Sequence, residues 1–375
     1  KPGSYFIYGI QDKNKNLITD SKTESYAFLY EPVNLTTNVM GIALPFVRLD
    51  SRPLKLTSAR PTATYFNIKT TKSLTSFQVE TSDDEHIIAS FGEDRSNIRI
   101  YNTFDNKDSV SVKFIGTDSI RNTIDTTFYV KFLKKNAEPD QFEFTTEALN
   151  VIGPKAMLDA KLKFNKPVLN LNFDSIYYAL DSLAKITFTH EDLKWDSLNN
   201  ILTIQKFFDK SLLPKETNPS SSNRAGVTQP SKSKRQSKTA VSNLFYLGSA
   251  AFISIELDSS KKVAQTIAPT KLEDTGVIFV EIQTRFPNYI VQLLDKEFNP
   301  IQYRRNLTKI SFEDLKPGDY QIRLITDHNN DGQWSPGNFY KNEEPEPVAY
   351  YKNEKGVSVI NLKANWELGP LLIKH

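Results

Sequence analysis

Apolar and polar residues alternate at period two in short runs along most of the chain. Between residues 31 and 155 such runs are Leu54-Lys-Leu-Thr, Thr64-Tyr-Phe-Asn-Ile, Phe77-Gln-Val-Glu, Ile98-Arg-Ile-Tyr, Val110-Ser-Val-Lys-Phe and Thr127-Phe-Tyr-Val-Lys-Phe. Residues 156–268 continue with Leu158-Asp-Ala-Lys-Leu-Lys-Phe, Val168-Leu-Asn-Leu-Asn-Phe, Ile186-Thr-Phe, Leu202-Thr-Ile and Phe252-Ile-Ser-Ile-Glu-Leu. In the last stretch the apolar-rich runs Val277-Ile-Phe-Val-Glu-Ile, Tyr289-Ile-Val-Gln-Leu-Leu and Ile310-Ser-Phe-Glu-Asp-Leu also read as strands. Period two predicts half-buried strands. Turn signals about every ten residues predict antiparallel sandwiches. Asn199-Asn200 reads as a hairpin turn, and Asp174-Ser-Ile-Tyr-Tyr-Ala-Leu as one helical turn. The fold class is therefore all-β, a tandem array of antiparallel β-sandwich domains. The expected divisions are 1–30, 31–155, 156–268 and 269–375.

One sentence is written twice. KPGSYFIYGIQDKNKN opens the chain, and KPGDYQIRLITDHNNDG begins at Lys316. Over 17 aligned positions 8 are identical, where chance gives about one. Pro-Gly makes an entry turn, a strand follows, and an Asx-rich loop ends it. The second copy is preceded by strands of its own domain and the first is not. A strand and a loop do not fold alone, so residues 1–30 read as the C-terminal part of a truncated sandwich. At least ~40 residues of partner strands are expected upstream.

Composition changes this picture little. Apolar residues make up 39% and charged residues 24% of the 375, ordinary for a globular chain. Phe (24) and Tyr (16) outnumber Gly (14), which favours strands. No run reaches the ~20 apolar residues of a spanning helix. With no cysteine, disulfides, thiolate metal sites and Cys nucleophiles are excluded within the chain. The same lack fits a bacterial envelope or a cytoplasmic setting better than a eukaryotic secreted one. The formal charge of +3 is uneven. Residues 214–242 hold six basic residues against Glu216 alone, so removing their net +5 leaves the rest at −2. A body without excess positive charge does not predict nucleic-acid binding. The basic segment, rich in Ser, Lys, Pro, Asn and Thr, reads as a flexible insertion in the third unit. It could rest on an anionic surface or stay solvated.

Candidate chemistry concentrates in the repeated loop. Asp327, Asn329 and Asp331 stand at i, i+2 and i+4 before Gly332, the opening spacing of an oxygen-ligand calcium loop. The twelfth position is Asn338 rather than Glu, which leaves Glu343 to complete the shell. The first copy offers Asp12, Asn14, Asn16 and, further on, Asp20, with two lysines among them. The alternative is a loop closed by its own side-chain-to-backbone hydrogen bonds. Calcium is the one cofactor this spacing suggests. The four histidines, His86, His190, His328 and His375, form no HExxH or paired metal spacing, and neither a GxSxG elbow nor a phosphate loop is present. No particular pair of carboxylates suggests a hydrolase, so the chain is read as a non-enzyme. Tyr350, Tyr351, Trp334 and Trp366 in the last domain could stack on a sugar, or simply pack.

Four segments together resemble a known family. They are Leu-Lys-Pro-Gly-x-Tyr at 315–320, Asp-x-Asn-x-Asp-Gly-x-Trp-x-Pro-Gly-Asn at 327–338, Glu-Pro-Glu-Pro-Val at 344–348 and Leu-Lys-Ala-Asn-Trp-Glu at 362–367. They look like the C-terminal signature of the Ig-like-domain lipoproteins of Bacteroidota. The opening motif, ending in Tyr-Ala-Phe-Leu at 26–29, resembles their middle region. The likeness covers about a third of the chain and does not extend to the 214–242 insertion. It implies an outer-membrane lipoprotein with Ig-like and prealbumin-like sandwiches, a lipid anchor ahead of Lys1 and no enzymatic activity. It further implies a hetero-complex with an outer-membrane β-barrel and other lipoproteins, as in barrel-assembly or secretion machines, at the cell surface or on the periplasmic face. A surface glycan-binding or adhesive module is the alternative role.

Overall fold

A computed structural model describes residues 1–16, 24–29, 31–42, 44, 46–50, 52–62, 64–81, 87–103, 109–132, 140–181, 183–213, 242–338 and 343–375. Asp20, His86 and all of the 214–242 segment except Ser242 lie outside them. Every regular element among the described residues is a strand or a single turn of 3-10 helix. The protein is a tandem array of antiparallel sandwiches.

The second module packs the four-stranded sheet 56–61, 65–70, 97–101, 89–91 against the three-stranded sheet 123–130, 110–118, 74–81. Their inward residues, among them Phe66, Ile68, Ile98, Val112 and Phe114, form one core. The period-two reading is visible in Val110–Asp118, whose Val110, Val112, Phe114, Gly116 and Asp118 are buried while the residues between are more open. The third module joins 144–152, 157–164, 201–207 and 193–196 in one sheet, and 185–187, 176–179, 244–247 and 263–266 in another. The last module faces the sheet 309–315, 276–283, 367–374 with a five-stranded sheet centred on 318–326. Among the described residues the named strands pair antiparallel, except where Gly276–Gln283 runs parallel to Glu367–Lys374, and Ile152 and Thr270 make an isolated parallel bridge.

Three expectations change. Phe144–Ile152 belongs to the third module, because it pairs along its length with Met157–Phe164 and shares that module's core. A boundary at 155 would split this hairpin. The first unit reaches beyond residue 30: Val33–Leu35 pairs with Gly3–Tyr5, and Val47 and Leu49 pack on Tyr26 and Phe28. Finally, Asp174–Leu180 is mostly strand. Only Phe173–Ser175 makes a 3-10 turn, capped by the Asn172 side chain. Ile176–Ala179 is then paired on both edges, with Tyr178 buried and its hydroxyl donating to the Ile267 carbonyl at 2.8 Å. Two strand partners outweigh a short local helical preference. The Asn199-Asn200 turn forms as predicted, with Asn200 at φ 53° between Leu193–Asp196 and Ile201–Phe207.

Candidate functional site: the repeated Asx loop and the hairpin it meets

Strand Gly318–Thr326 ends at Asp327, whose side chain is 1% exposed. Its Oδ1 accepts from the Asp331 amide at 3.0 Å, and its Oδ2 from the Gly332 amide and the Arg305 guanidinium, both at 3.0 Å. Asn329 Oδ1 also accepts from the Asp331 amide, and Asp331 Oδ1 from the Gln333 amide at 2.8 Å. Gly332 sits at φ 79°, where an added Cβ would lie 2.6 Å from Arg305 Nη1; the turn and the guanidinium both need a glycine there. The three ligand candidates Asp327, Asn329 and Asp331 are thus brought together. Glu343 bridges Asn338 through backbone hydrogen bonds of 2.8 and 3.0 Å.

The first copy repeats the two bonds that meet on the Asp331 amide. The Asn16 amide donates to Asp12 Oδ1 at 3.2 Å and to Asn14 Oδ1 at 3.0 Å. Lys15 and its counterpart Asn330 both take positive φ, 60° and 55°. Tyr5 donates to the Lys1 carbonyl as Tyr320 does to that of Lys316, at 2.9 and 2.6 Å. The strands agree as well. Tyr8–Ile10 pairs with Tyr26–Phe28 as Arg323–Ile325 pairs with Val348–Tyr350, and Gly3–Tyr5 with Val33–Leu35 as Gly318–Tyr320 with Ile360–Leu362.

Both copies use a glutamate that the loop spacing alone does not single out. Glu346 accepts from the His328 amide at 2.8 Å and the Ser335 amide at 2.7 Å, and Glu24 accepts from the Lys13 amide at 2.9 Å. The available signal was the parallel between Glu24-Ser-Tyr-Ala-Phe and Glu346-Pro-Val-Ala-Tyr.

Positive charge at the second loop comes from two arginines. Arg305 holds Asp327, and Arg121 of the second module reaches Asp331 Oδ2 and Ser335 Oγ, each at 3.0 Å. Among the described residues no three His, Cys, Asp or Glu side chains converge to hold a metal ion. A hard cation at Asp327 and Asp331 would take the place these guanidinium groups hold.

Arg121 lies in the turn of the second module's hairpin, at φ 61°, and that turn touches three modules. Ile120 is buried with Tyr26, Phe28, Val47 and Leu49 of the first module. Its carbonyl accepts from Asn338 Nδ2 of the last module at 3.3 Å. Asp118 shapes the turn from below. It accepts from the amides of Ile120 and Asn122 at 2.9 and 2.8 Å, and it pairs with Lys72 at 2.6 Å in full burial. Burying a charge costs less when such partners replace the water it loses.

Other junctions are also bonded. The Phe91 amide donates to the Leu198 carbonyl at 2.8 Å, and Asn200 Nδ2 to Ser90 Oγ at 2.9 Å, between second and third modules. Lys155 pairs with Asp314, and the Thr270 amide donates to the Val151 carbonyl at 2.8 Å, beside the last module. A cleft of about 680 Å³ between second and third modules is lined by Glu93, Arg99, Asp140, Lys163 and Phe164. Arg99 lies 3.7 Å from Glu93 and 3.8 Å from Asp140, and over the Tyr65 ring. His190 packs edge-on against Phe173. Trp334 Nε1 donates to the Glu346 carbonyl at 3.0 Å, so that ring closes the loop.

No family model and no curated protein matches the chain. Among solved structures it is similar to dimeric latent PorU from Porphyromonas gingivalis, at 9% identity and TM-score 0.26, over 82% of this chain and 35% of that one. The protocadherin gamma B2 extracellular cadherin domains 3–6 align at 9% identity and TM-score 0.17, over 73% and 68% of the two chains. The Bacillus anthracis TIE protein aligns at 10% identity and TM-score 0.17, over 87% and 57%. The chain thus spans about a third of the PorU chain it aligns with.

Proposed function

We propose that this chain is a non-enzymatic scaffold, an arm of sandwiches that carries partner proteins as a lipid-anchored subunit of an outer-membrane complex. The observation that carries the scaffold part is the Asp118–Asn122 turn. One turn plugs the first module with Ile120, binds the last module's loop through Arg121 and is braced by a buried ion pair. Contacts of this kind resist the independent module motion that is otherwise the default in tandem chains. The outer-membrane setting, the β-barrel and lipoprotein partners and the anchor rest on the motif resemblance at 315–320, 327–338, 344–348 and 362–367.

The test is purification of the tagged protein from its own envelope in mild detergent, with mass spectrometry of what accompanies it. Stoichiometric recovery of an outer-membrane barrel with other lipoproteins is the expected result. Recovery of the protein alone, at native expression, overturns the complex-subunit reading.

A further inference from the structure

Three cations are buried among the described residues: Lys72, Lys166 and Arg99. Lys72 meets Asp118 at 2.6 Å, and Lys166 meets Glu256 at 2.6 Å and Asp258 at 3.0 Å. Arg99 is paired more loosely. Its two carboxylate neighbours, Glu93 and Asp140, stand 3.7 and 3.8 Å away, beyond hydrogen-bond reach. Both are themselves mostly exposed, at 87% and 67%, while the Arg99 side chain is 10% exposed. A buried charge without close partners is costly. The Tyr101 hydroxyl, two residues on, is buried without a hydrogen-bond partner.

The guanidinium is held in place all the same. Arg99 sits in the strand Asn97–Tyr101, with Asn67 and Ser90 beside it on the neighbouring strands. The Tyr65 ring backs the guanidinium, its centroid 4.4 Å away. Gly92 leaves room for it, since a Cβ there would lie 3.1 Å from Nε. Stacking on a ring presets the plane of the fork.

Arg99 lines the cleft between the second and third modules, whose volume of about 680 Å³ falls within the usual span of small-molecule sites. Phe144 and Phe164 give that cleft an apolar wall, and Glu93, Asp140, Glu143 and Lys163 also line it. Three carboxylates thus face two cations. A plain anion meets repulsion from this rim, and a plain cation leaves the guanidinium fork unfilled. A zwitterion answers both. We propose that the cleft binds a small zwitterion of the amino-acid type. Its carboxylate takes the Arg99 fork in two parallel hydrogen bonds. Its ammonium takes Glu93 and Asp140, and its apolar group lies on Phe144 and Phe164. This proposal does not depend on the scaffold reading.

The test titrates the full chain with phenylalanine, phenylpropionate and phenylethylamine. These probes share one body and carry both charges, the negative one and the positive one. The readouts are the Nε–Hε NMR signal of Arg99 and the calorimetric affinity. Expected is a saturable shift of that signal with phenylalanine, and an affinity at least about tenfold above either one-charge probe, as loss of one charge-assisted hydrogen bond gives. Arg99→Lys keeps the charge and loses the fork. It should weaken phenylalanine at least about tenfold and leave phenylethylamine unchanged. Glu93→Gln with Asp140→Asn, at exposed positions, should abolish the preference for phenylalanine over phenylpropionate. Absence of a saturable shift with phenylalanine overturns the proposal. So does equal binding of phenylethylamine, which would mark a cation site of the carboxylates alone. Phenylalanine affinity indifferent to Arg99→Lys also overturns it and leaves Arg99 as a brace between modules.

Discussion

Ile7 and Ile322 occupy the same place in two copies of one strand, with the same turn before them and the same loop after them. Ile322 is fully buried and Ile7 is not. The local features survive in both settings: the Tyr hydroxyl on the Lys carbonyl, the Asx side chains on the fifth loop amide, the positive φ at Lys15 and Asn330. Each of these bonds closes over four residues or fewer, so it needs no core. Burial depends instead on the sheet 309–315, 276–283, 367–374 and on the strand 289–294, which only the second copy has among the described residues. The comparison separates what a loop does for itself from what a second sheet does for it.

The largest expected contrast is between matching core truncations. Ile322→Ala should cost the last module about 3 kcal/mol, as a cavity in a closed core does. Ile7→Ala should cost the first module less than about 1 kcal/mol. Amide protection factors of each module read this, and equal costs would break the comparison. Ile120→Ala should loosen the first module by about 2 kcal/mol while the last module's core amides keep their protection. Equal loss in both modules would mean that the junction, not the local plug, holds them. Tyr320→Phe should cost about 1 kcal/mol and Tyr5→Phe only a few tenths, because the first hydroxyl bond is part-buried and the second is exposed.

Calcium sharpens the loop half of the comparison. Arg121 is more than half exposed, so its ion pair with Asp331 contributes about 0.5 kcal/mol or less. Removing both guanidinium groups, Arg121→Ala with Arg305→Ala, leaves the two carboxylates without their cations. Calcium is then expected to raise the last module's melting temperature in the double variant but not in the wild type. A calcium-dependent rise in the wild type would show that the arginines yield to the ion.

The smallest expected effect is a pH response of the last module alone. His375 is held below its ordinary value by burial, with Arg285 and His328 adding repulsion. Its folded form favours the neutral ring, so the stability linked to it is present above pH 6.5 and is lost as pH falls through the lowered folded value. Residues 1–49 contain no histidine. Melting of the last module should drop between pH 7 and 5 while the first module stays unchanged; a shared drop would point to a common cause.

Alternation and turn chemistry made the all-β fold legible, along with most of its strands and the two Asx loops, because strand side chains repeat every two residues and Asx bonds span four. The module of Phe144–Ile152 is not legible in its sequence, because nothing in a strand's own pattern names its partner. Ile176–Ala179 is strand rather than helical turn because two flanking strands pair with it. The candidate loop was visible at Asp327, Asn329 and Asp331, while the cations that meet them were not. Arg121 and Asp331 lie 210 positions apart, and their meeting depends on how two separately closed cores stack. The sequence by itself determined the strands, the loop bonds and the duplication, all local in range. The tertiary structure alone decided which copy is covered, which hairpin turn becomes a junction and which guanidinium faces which carboxylate. Those depend on surfaces that exist only once each sheet has folded.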